Sequence, residues 1–332
     1  IMSTLTGTIE QYWTRRASSY TEVVKKNLAD GWDSKWADEL IKNFPKTEGR
    51  SLKVLDIGTG PGFYAIILAS RGYDVTAVDL SEGMLEQAKA NAGELAEKIR
   101  FLKMDAQTLE FPDNEFDVIV TRNLTWNLPD PVKAYGEWRR VLRDGGVMLN
   151  IDSNWYAYLF DEEKKNEKQA ERDCTVQAGV EDYESYDESW LMENISRTLP
   201  MGKLPRPHWD AVTLLNLGFK NVSADTSVSR RLWSREEMLK KRNPWKSNMH
   251  KPTLAQHAAF IVRTMNGDAE WLRDDFYYLQ AFESKYMNWH RHKQTGLLYW
   301  ETDEAIGVDN DPSTFYRPHE SSGSIFLNAL MY

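Results

Sequence analysis

Residues 52–62 read LKVLDIGTGPG. An apolar run broken by one acid, Asp56, gives way to glycines at 58, 60 and 62. Such a run reads as a strand that enters a tight turn. Glycine lacks a Cβ, so the backbone can bend sharply there and another group can approach closely. The next two segments decide the fold. IILASRGY (66–73) reads as a helix and VTAVDL (75–80) as a second strand. A strand, a turn, a helix and another strand form a crossover unit, whose strands lie parallel.

The same alternation continues. SEGMLEQAKANAGELAEK (81–98) reads as a helix, with Ser81 as its N-cap and Met84, Leu85 and Ala88 on one side. IRFLKMDA (99–106), FDVIVTRN (116–123) and VMLNID (147–152) read as strands three to five. VKAYGEWRRVLRDGG (132–146) is a helix closed by glycines, and two helices are expected before the first strand, over 8–30 and 35–44. The expected fold is α/β: a Rossmann-like, doubly wound, mostly parallel sheet. Ligands of such sheets sit beyond the carboxyl ends of the strands.

Composition narrows the partners. The chain has 332 residues, 41% of them hydrophobic, with a net charge of −9, enough apolar material for a substantial core. The length favours two domains. An acidic chain without a basic run is not expected to grip a phosphate backbone. One cysteine, Cys174, forms no intramolecular disulfide. With no secretory leader and no apolar run of membrane length recognised, a cytoplasmic protein is expected.

The glycine turn is followed, twenty-three residues after Asp56, by Asp79 at the end of strand two. An acid at that distance suits ribose hydroxyls, in a dinucleotide or an adenosyl ligand alike. Two details separate these ligands. Asp56 stands two residues before Gly58, where a carboxylate would repel a pyrophosphate and suits a ligand with a cationic end. Asp105, closing strand three, can accept from an adenine amino group. S-adenosylmethionine has an ammonium, a sulfonium, two ribose hydroxyls and no phosphate.

On these motifs, residues 8 to about 235 resemble a class I S-adenosylmethionine-dependent methyltransferase. VLDIGTGPG is similar to that family's first motif, VDLSEGML to its second, and KMDAQTLEFPDNEFDVIVTRN to its third and fourth. TWNLPDPVKAYGEWRRVLRDGG resembles a stretch of its small-molecule and quinone-type members. The resemblance implies that Asp56, Gly58, Thr59 and Gly60 hold the methionine moiety. It implies Asp79 on the ribose, Leu80 and Met84 against the adenine, and Asp105 and Ala106 at the adenine edge. Arg122 and Asn123 would close the pocket, and Tyr20, in the lid-like EQYWTRRASSY (10–20), would lie near the cofactor. S-adenosylhomocysteine would be the product. Domains are expected as a helical lid (1–50), a cofactor-binding core (51–152), a helical cap for the substrate (153–207) and a last helix and strand (208–240).

A small-molecule methyl acceptor is expected, because TRNLTW lacks the Asn/Asp-Pro-Pro-aromatic signature of amino-methylating DNA enzymes. Trp155, Tyr156, Tyr158 and Trp190 could wall the acceptor's lid or pack the cap. No general base is identified. His208, Tyr183 and Tyr186 are candidates, with His208 better suited to a helix cap or a surface role.

Residues 247–332 carry a second resemblance. KPTLAQH, a paired-helix segment, YWETDEAIGVDN and SSGSIFLN are similar, in order, to part of the (α/α) toroid of inverting glycoside hydrolases of the processing α-glucosidase and mannosylglycerate hydrolase group. That implies a mainly helical segment with Asp309 as general acid. Inversion needs a second carboxyl group roughly 6.5–9.5 Å away, which that family places far downstream. The segment is therefore expected to be a remnant, a fusion artefact or a truncated gene, which could still pack against the sheet and supply the missing seventh strand, for which HAAFIVRTM (257–265) is no clean candidate. His290 and His292 alone are not expected to bind a metal. Glycoside hydrolysis and non-catalytic binding of an adenosyl ligand stand as the alternatives to methyl transfer.

Overall fold

Strand β1 (Lys53–Ile57) forms the middle of the sheet because its side chains are buried on both faces. Leu55 and Ile57 point to one side and Val54 to the other, all fully buried. Burying side chains of this kind contributes about 1.5–3 kcal/mol each, which fixes where the following turn begins. The computed structural model describes residues 2–47, 49–162, 164–166, 168–169, 189–225, 228–232, 277–282, 287–291 and 298–302.

Helices α1 (Met2–Ala29) and α2 (Trp32–Ile41) precede β1. Then come α3 (Phe63–Ala69), β2 (Asp74–Asp79), α4 (Glu82–Ala92), β3 (Ile99–Lys103), β4 (Phe116–Arg122), α5 (Pro131–Val141) and β5 (Leu142–Asp152). After them are α6 (Ser189–Thr198), α7 (His208–Asn216), β6 (Asn221–Asp225), α8 (Val228–Leu232), β7 (Tyr277–Phe282), β8 (Met287–Arg291) and β9 (Leu298–Thr302). The main sheet has the order β3-β2-β1-β4-β5-β7-β6. Strands β1 to β5 are parallel, and β7 runs antiparallel between β5 and β6. This is the Rossmann-like, doubly wound arrangement that the alternation of strands and helices predicts.

Two apolar layers flank the sheet. One joins Val54, Val118 and Leu149 to Trp36 and Leu40 of α2 and Ile67 of α3. The other joins Leu55, Ile57 and Ile119 to Tyr135 and Trp138 of α5 and Leu214 of α7. The Trp138 indole also donates to the Ala106 carbonyl at 2.9 Å, so its one polar atom is answered inside the core. A third cluster brings Ile9 and Tyr12 of α1 onto Trp126 and onto Met192, Ile195 and Leu199 in and just after α6. It seats α1 above the carboxyl ends of the strands.

Two expectations need correction. Helix α5 stops at Val141, before the glycines, and Gly145 (φ +76°) turns within the irregular start of β5. The edge of the core claims Leu142, which pairs with Phe116. The region after residue 247, expected to be mainly helical, shows only strands where it is described: β7, β8 and β9. YYLQAF is rich in strand formers, and the slot between β5 and β6 offers a hydrogen-bonding edge on each side. This stretch, rather than HAAFIVRTM, supplies the antiparallel strand; HAAFIVRTM lies outside the described residues. Among the described residues no helix is long and apolar enough to cross a membrane.

Candidate active site

The turn after β1 is shaped by contacts that only glycine allows. Gly58 sits at φ +69°, and a Cβ there would lie 2.9 Å from the Leu124 methyls. Gly62, at φ +91°, would place a Cβ 3.0 Å from that of Ala88, so its absence lets α3 approach α4. Gly58 and Thr59 donate backbone N–H groups to the Val78 carbonyl at 2.9 and 3.0 Å, which ties the turn to β2.

Beyond this turn opens a cleft with about 840 Å³ of space between its walls, part of it continuous with solvent. Tyr20, Gly58, Gly60, Asp79, Leu80, Met84, Asp105, Ala106, Arg122 and Asn123 line it, so ten of the twelve expected contact residues share one surface. They come from the ends of four neighbouring strands, from α1 and, for Met84, from the first turn of α4, brought together by the strand order. The other two, Asp56 and Thr59, lie beneath the turn. Asp56 alternates with Leu55 and Ile57, so it points to the α3 side of the sheet. It accepts from the Thr59 hydroxyl at 2.6 Å and from the Ala65 amide at 3.1 Å. Burial pushes its carboxyl up to about 7 despite both donors. Asp56 holds the turn in shape rather than lining the cleft.

Asp79 is on the wall. Its carboxylate accepts from the Gly60 amide at 2.8 Å and the Ser81 amide at 2.9 Å. Burial raises it to about 6, against the pull of those amides. Ser81 caps α4 by accepting from the Met84 amide at 3.2 Å, as its place in the sequence predicts. Asp105 accepts from the Gln107 amide at 2.9 Å and from its side-chain Nε2 at 3.1 Å. The Gln107 carbonyl oxygen in turn accepts from the Asp130 amide. Asn123 holds a left-handed backbone (φ 55°) while its N–H donates to Ile151 at 2.8 Å, strain stored at the cleft's edge.

The opposite wall is helix α1. Thr6, Ile9, Glu10, Trp13 and Tyr20 face the cleft at helical spacing. The sequence motifs point to Tyr20 alone; the stripe through Trp13 is the signal that leads to the rest. Trp13 packs edge-on against Tyr20 and Trp126, with ring centroids 5.8 and 6.3 Å apart. Three polar contacts pin α1 down: Glu10 with Lys103, the Thr14 and Ser81 hydroxyls at 2.9 Å, and Thr21 accepting from Asn91 at 2.7 Å.

The remaining expected residues lie elsewhere. His208 opens α7 away from the cleft wall, its ring lowered in pKa by burial and its Nδ1 buried without a partner among the described residues. Tyr156 stacks near Trp126 (5.0 Å) and Tyr158 donates to Glu193, while Trp155 and Trp190 are exposed. Tyr183, Tyr186, His292 and Asp309 lie outside the described residues, and His290 falls in β8. Among the described residues no cluster of His, Cys, Asp and Glu is arranged to hold a metal.

A buried network that sequence reasoning missed stands behind the cleft. Arg206 donates to Asp152 at 2.9 Å and to both oxygens of Asp210 at 2.8 and 2.9 Å, with all three side chains inaccessible to solvent. Tyr135 donates to Asp210, and Asn150 to Tyr135. Asp152 and Asn150 then accept from the Trp126 amide (2.8 Å) and the Thr125 hydroxyl (3.0 Å), fixing the loop that carries Leu124, Asn127 and Leu128 to the cleft.

Residues 55–150 match a family described as a methyltransferase domain. The chain is 32% identical over 137 residues to the demethylmenaquinone methyltransferase of Thermus thermophilus, covering 40% of this chain and 60% of that one. It is 29% identical over 154 residues to the ubiquinone/menaquinone biosynthesis C-methyltransferase UbiE of Rickettsia massiliae, covering 44% and 60%. The chain thus spans less than two thirds of these curated relatives. Among solved structures, phosphoethanolamine N-methyltransferase 2 of Haemonchus contortus, in complex with S-adenosyl-L-methionine, aligns over 76% of this chain and 53% of that one, at 20% identity and a TM-score of 0.48. Over residues 55–150, then, this chain is similar to a methyltransferase domain.

Proposed function

We propose that the protein transfers a methyl group from S-adenosylmethionine to a small-molecule acceptor, releasing S-adenosylhomocysteine. The observation that carries this reading is the pair of cleft-facing acids, Asp79 and Asp105, at the ends of β2 and β3 beside a glycine turn. A ligand suited to that pair offers hydrogen-bond donors and carries no phosphate. The residues fit an adenosyl group: Asp79 for the ribose hydroxyls, Leu80 and Met84 as apolar faces, Asp105 and Ala106 at the base edge. Gly58 and Gly60 leave room for the amino-acid end, with Arg122, Asn123 and Tyr20 closing around it.

When bound, the cofactor supplies an activated methyl group on a sulfonium. The protein's task is alignment and exclusion of water, and positioning of this kind can supply roughly 7–11 kcal/mol. Helix α1 and the loop at 124–129 form the walls that would do this, with α1 as lid. The names of the curated relatives support a quinone-type acceptor, and the apolar groups Ile9, Trp13, Leu124 and Leu128 suit a flat, poorly charged ring. The titratable groups among the described residues that line the cleft are Glu10, Tyr20, Asp79, Asp105 and Arg122.

Calorimetry with S-adenosylhomocysteine tests the cofactor. Asp79→Ala should weaken binding at least tenfold, about 1.4 kcal/mol. Equal binding by both proteins would remove the assignment. Methyl transfer from labelled S-adenosylmethionine, assayed over a panel led by reduced quinones, tests the acceptor class.

A further inference from the structure

The two acids at the ends of β2 and β3 are held in different ways. Asp79 takes its hydrogen bonds from the backbone, at the Gly60 and Ser81 amides. Asp105 depends on one neighbouring residue, Gln107. The Gln107 amide donates to Asp105 Oδ1 at 2.9 Å, and its side-chain Nε2 spans both carboxylate oxygens at 3.1 and 3.2 Å. The other end of the same side chain, Oε1, accepts from the Asp130 amide at 2.7 Å, at the N-cap of α5. Gln107 is only 6% exposed where it lines the cleft.

A glutamine amide can be turned end for end, and the bond to Asp130 settles which end faces Asp105. A backbone N–H only donates, so it claims the oxygen of the Gln107 amide and leaves the nitrogen for the carboxylate. The reverse orientation would set an oxygen against two oxygens. The residues around Gln107 are pinned to the same helix one by one. Trp138 donates to the Ala106 carbonyl at 2.9 Å, Lys133 to the Thr108 hydroxyl at 2.8 Å, and the Leu109 amide to Glu137 at 2.9 Å. With its neighbours fixed, Gln107 has one place, between Asp105 and the start of α5. A carboxylate offers about four lone-pair sites. Gln107 answers most of them, and the capacity left over serves a donor in the cleft.

We infer that Gln107 is a positioning residue: it fixes the attitude of the Asp105 carboxylate, and so makes the protein choose an amino-substituted purine over its oxo counterpart in the cofactor. The inference rests on the proposed function, with the base at the end of β3. Asp105 supplies the acceptor, and Gln107 determines where that acceptor points. An oxo group brought to the same place sets lone pairs against an oxygen and leaves the carboxylate unanswered. A carboxylate free to turn about its own bond would give way to the oxo group, and the distinction between the two bases would fade.

The test compares S-adenosylhomocysteine with its inosyl analogue, in which an oxo group replaces the amino group of the base, by calorimetry on the full chain. Wild type should prefer the adenosyl ligand by at least about thirtyfold, the cost of leaving a buried acceptor unanswered. Gln107→Met removes both hydrogen-bonding ends of the side chain, and the preference should fall to about fivefold or less. Gln107→Glu separates the two ends: its carboxylate still accepts from the Asp130 amide but offers Asp105 no side-chain donor. Its preference should fall as far as that of the methionine variant, and it covers the case in which that variant fails to fold. A side chain that merely anchored its segment to α5 would let Gln107→Glu keep the wild-type preference, and that result overturns the inference. So does a thirtyfold preference that survives in Gln107→Met, or a wild type that binds both ligands alike. Binding of neither ligand to wild type defeats the cofactor reading itself, a result distinct from the others.

Discussion

Asp79 and Asp152 occupy equivalent places, each at the carboxyl end of a parallel strand, and they do opposite things. Asp79 looks into the cleft and is held by backbone amides. Asp152 is sealed from solvent and answered by the guanidinium of Arg206, fifty-four residues away in sequence. The fold provides a row of strand ends; whether an acid there becomes a ligand contact or a structural lock depends on whether the chain supplies its own cation. Burial raises the pKa of both carboxyls, but only Asp152 has an ionic partner to oppose it.

The contrast is tested most severely at its buried end. Arg206→Met leaves Asp152 and Asp210 facing each other without a cation. Removing one partner of a buried ion pair costs about 3–5 kcal/mol, so a drop of that size in the free energy of urea unfolding is expected. A loss below about 1 kcal/mol would mean that the network is not a lock.

The cleft end should show itself as a pH dependence with an unusual sign. Asp56 and Asp79 have folded-state values of about 7 and about 6, above the 3.8 of an ordinary aspartate. Between roughly pH 4 and 7 the folded protein therefore holds more protons than the unfolded chain, and stability falls as pH rises through that window. Asp117 runs the other way. Burial would raise it, but Arg50, the Lys53 amide and Arg143 outweigh burial and hold it at about 2. Its contribution is present above the ordinary value and is lost as pH falls toward about 2. Asp79→Asn should reduce the slope of the upper window to the share of Asp56 and leave the lower one; unfolding midpoints measured at about pH 3, 5 and 7.5 would show both limbs.

The smallest effect concerns the border between cleft and frame. Ser81→Ala removes the N-cap of α4 and its contact with Thr14. A loss of about 1 kcal/mol is expected, read as a shift in thermal or urea midpoint.

The cleft end was legible in sequence because its signals are local. Glycines, an acid and a helix cap fall within a few residues of one another, and strand order then lines up Asp79, Asp105 and Arg122. The burial of Asp56 was not legible, since it turns on which face of β1 the side chain takes. Nor was the Asp152–Arg206–Asp210 lock, whose partners meet only after the chain has passed through residues 153–205. The antiparallel strand was legible only in part: the far segment suggests a source for it, but not which stretch takes the place. Tyr277–Phe282 owes its place to the two open edges beside it, which its own sequence does not reveal.

Helix α1 is fastened along one face, at Glu10, Thr14 and Thr21, to residues of β3 and α4 and to the Ser81 cap. Those anchors, Lys103, Ser81 and Asn91, belong to the wall or the immediate frame of the same cleft. Any outward movement of α1 would part these contacts, so they set how firmly one wall of the cleft is held.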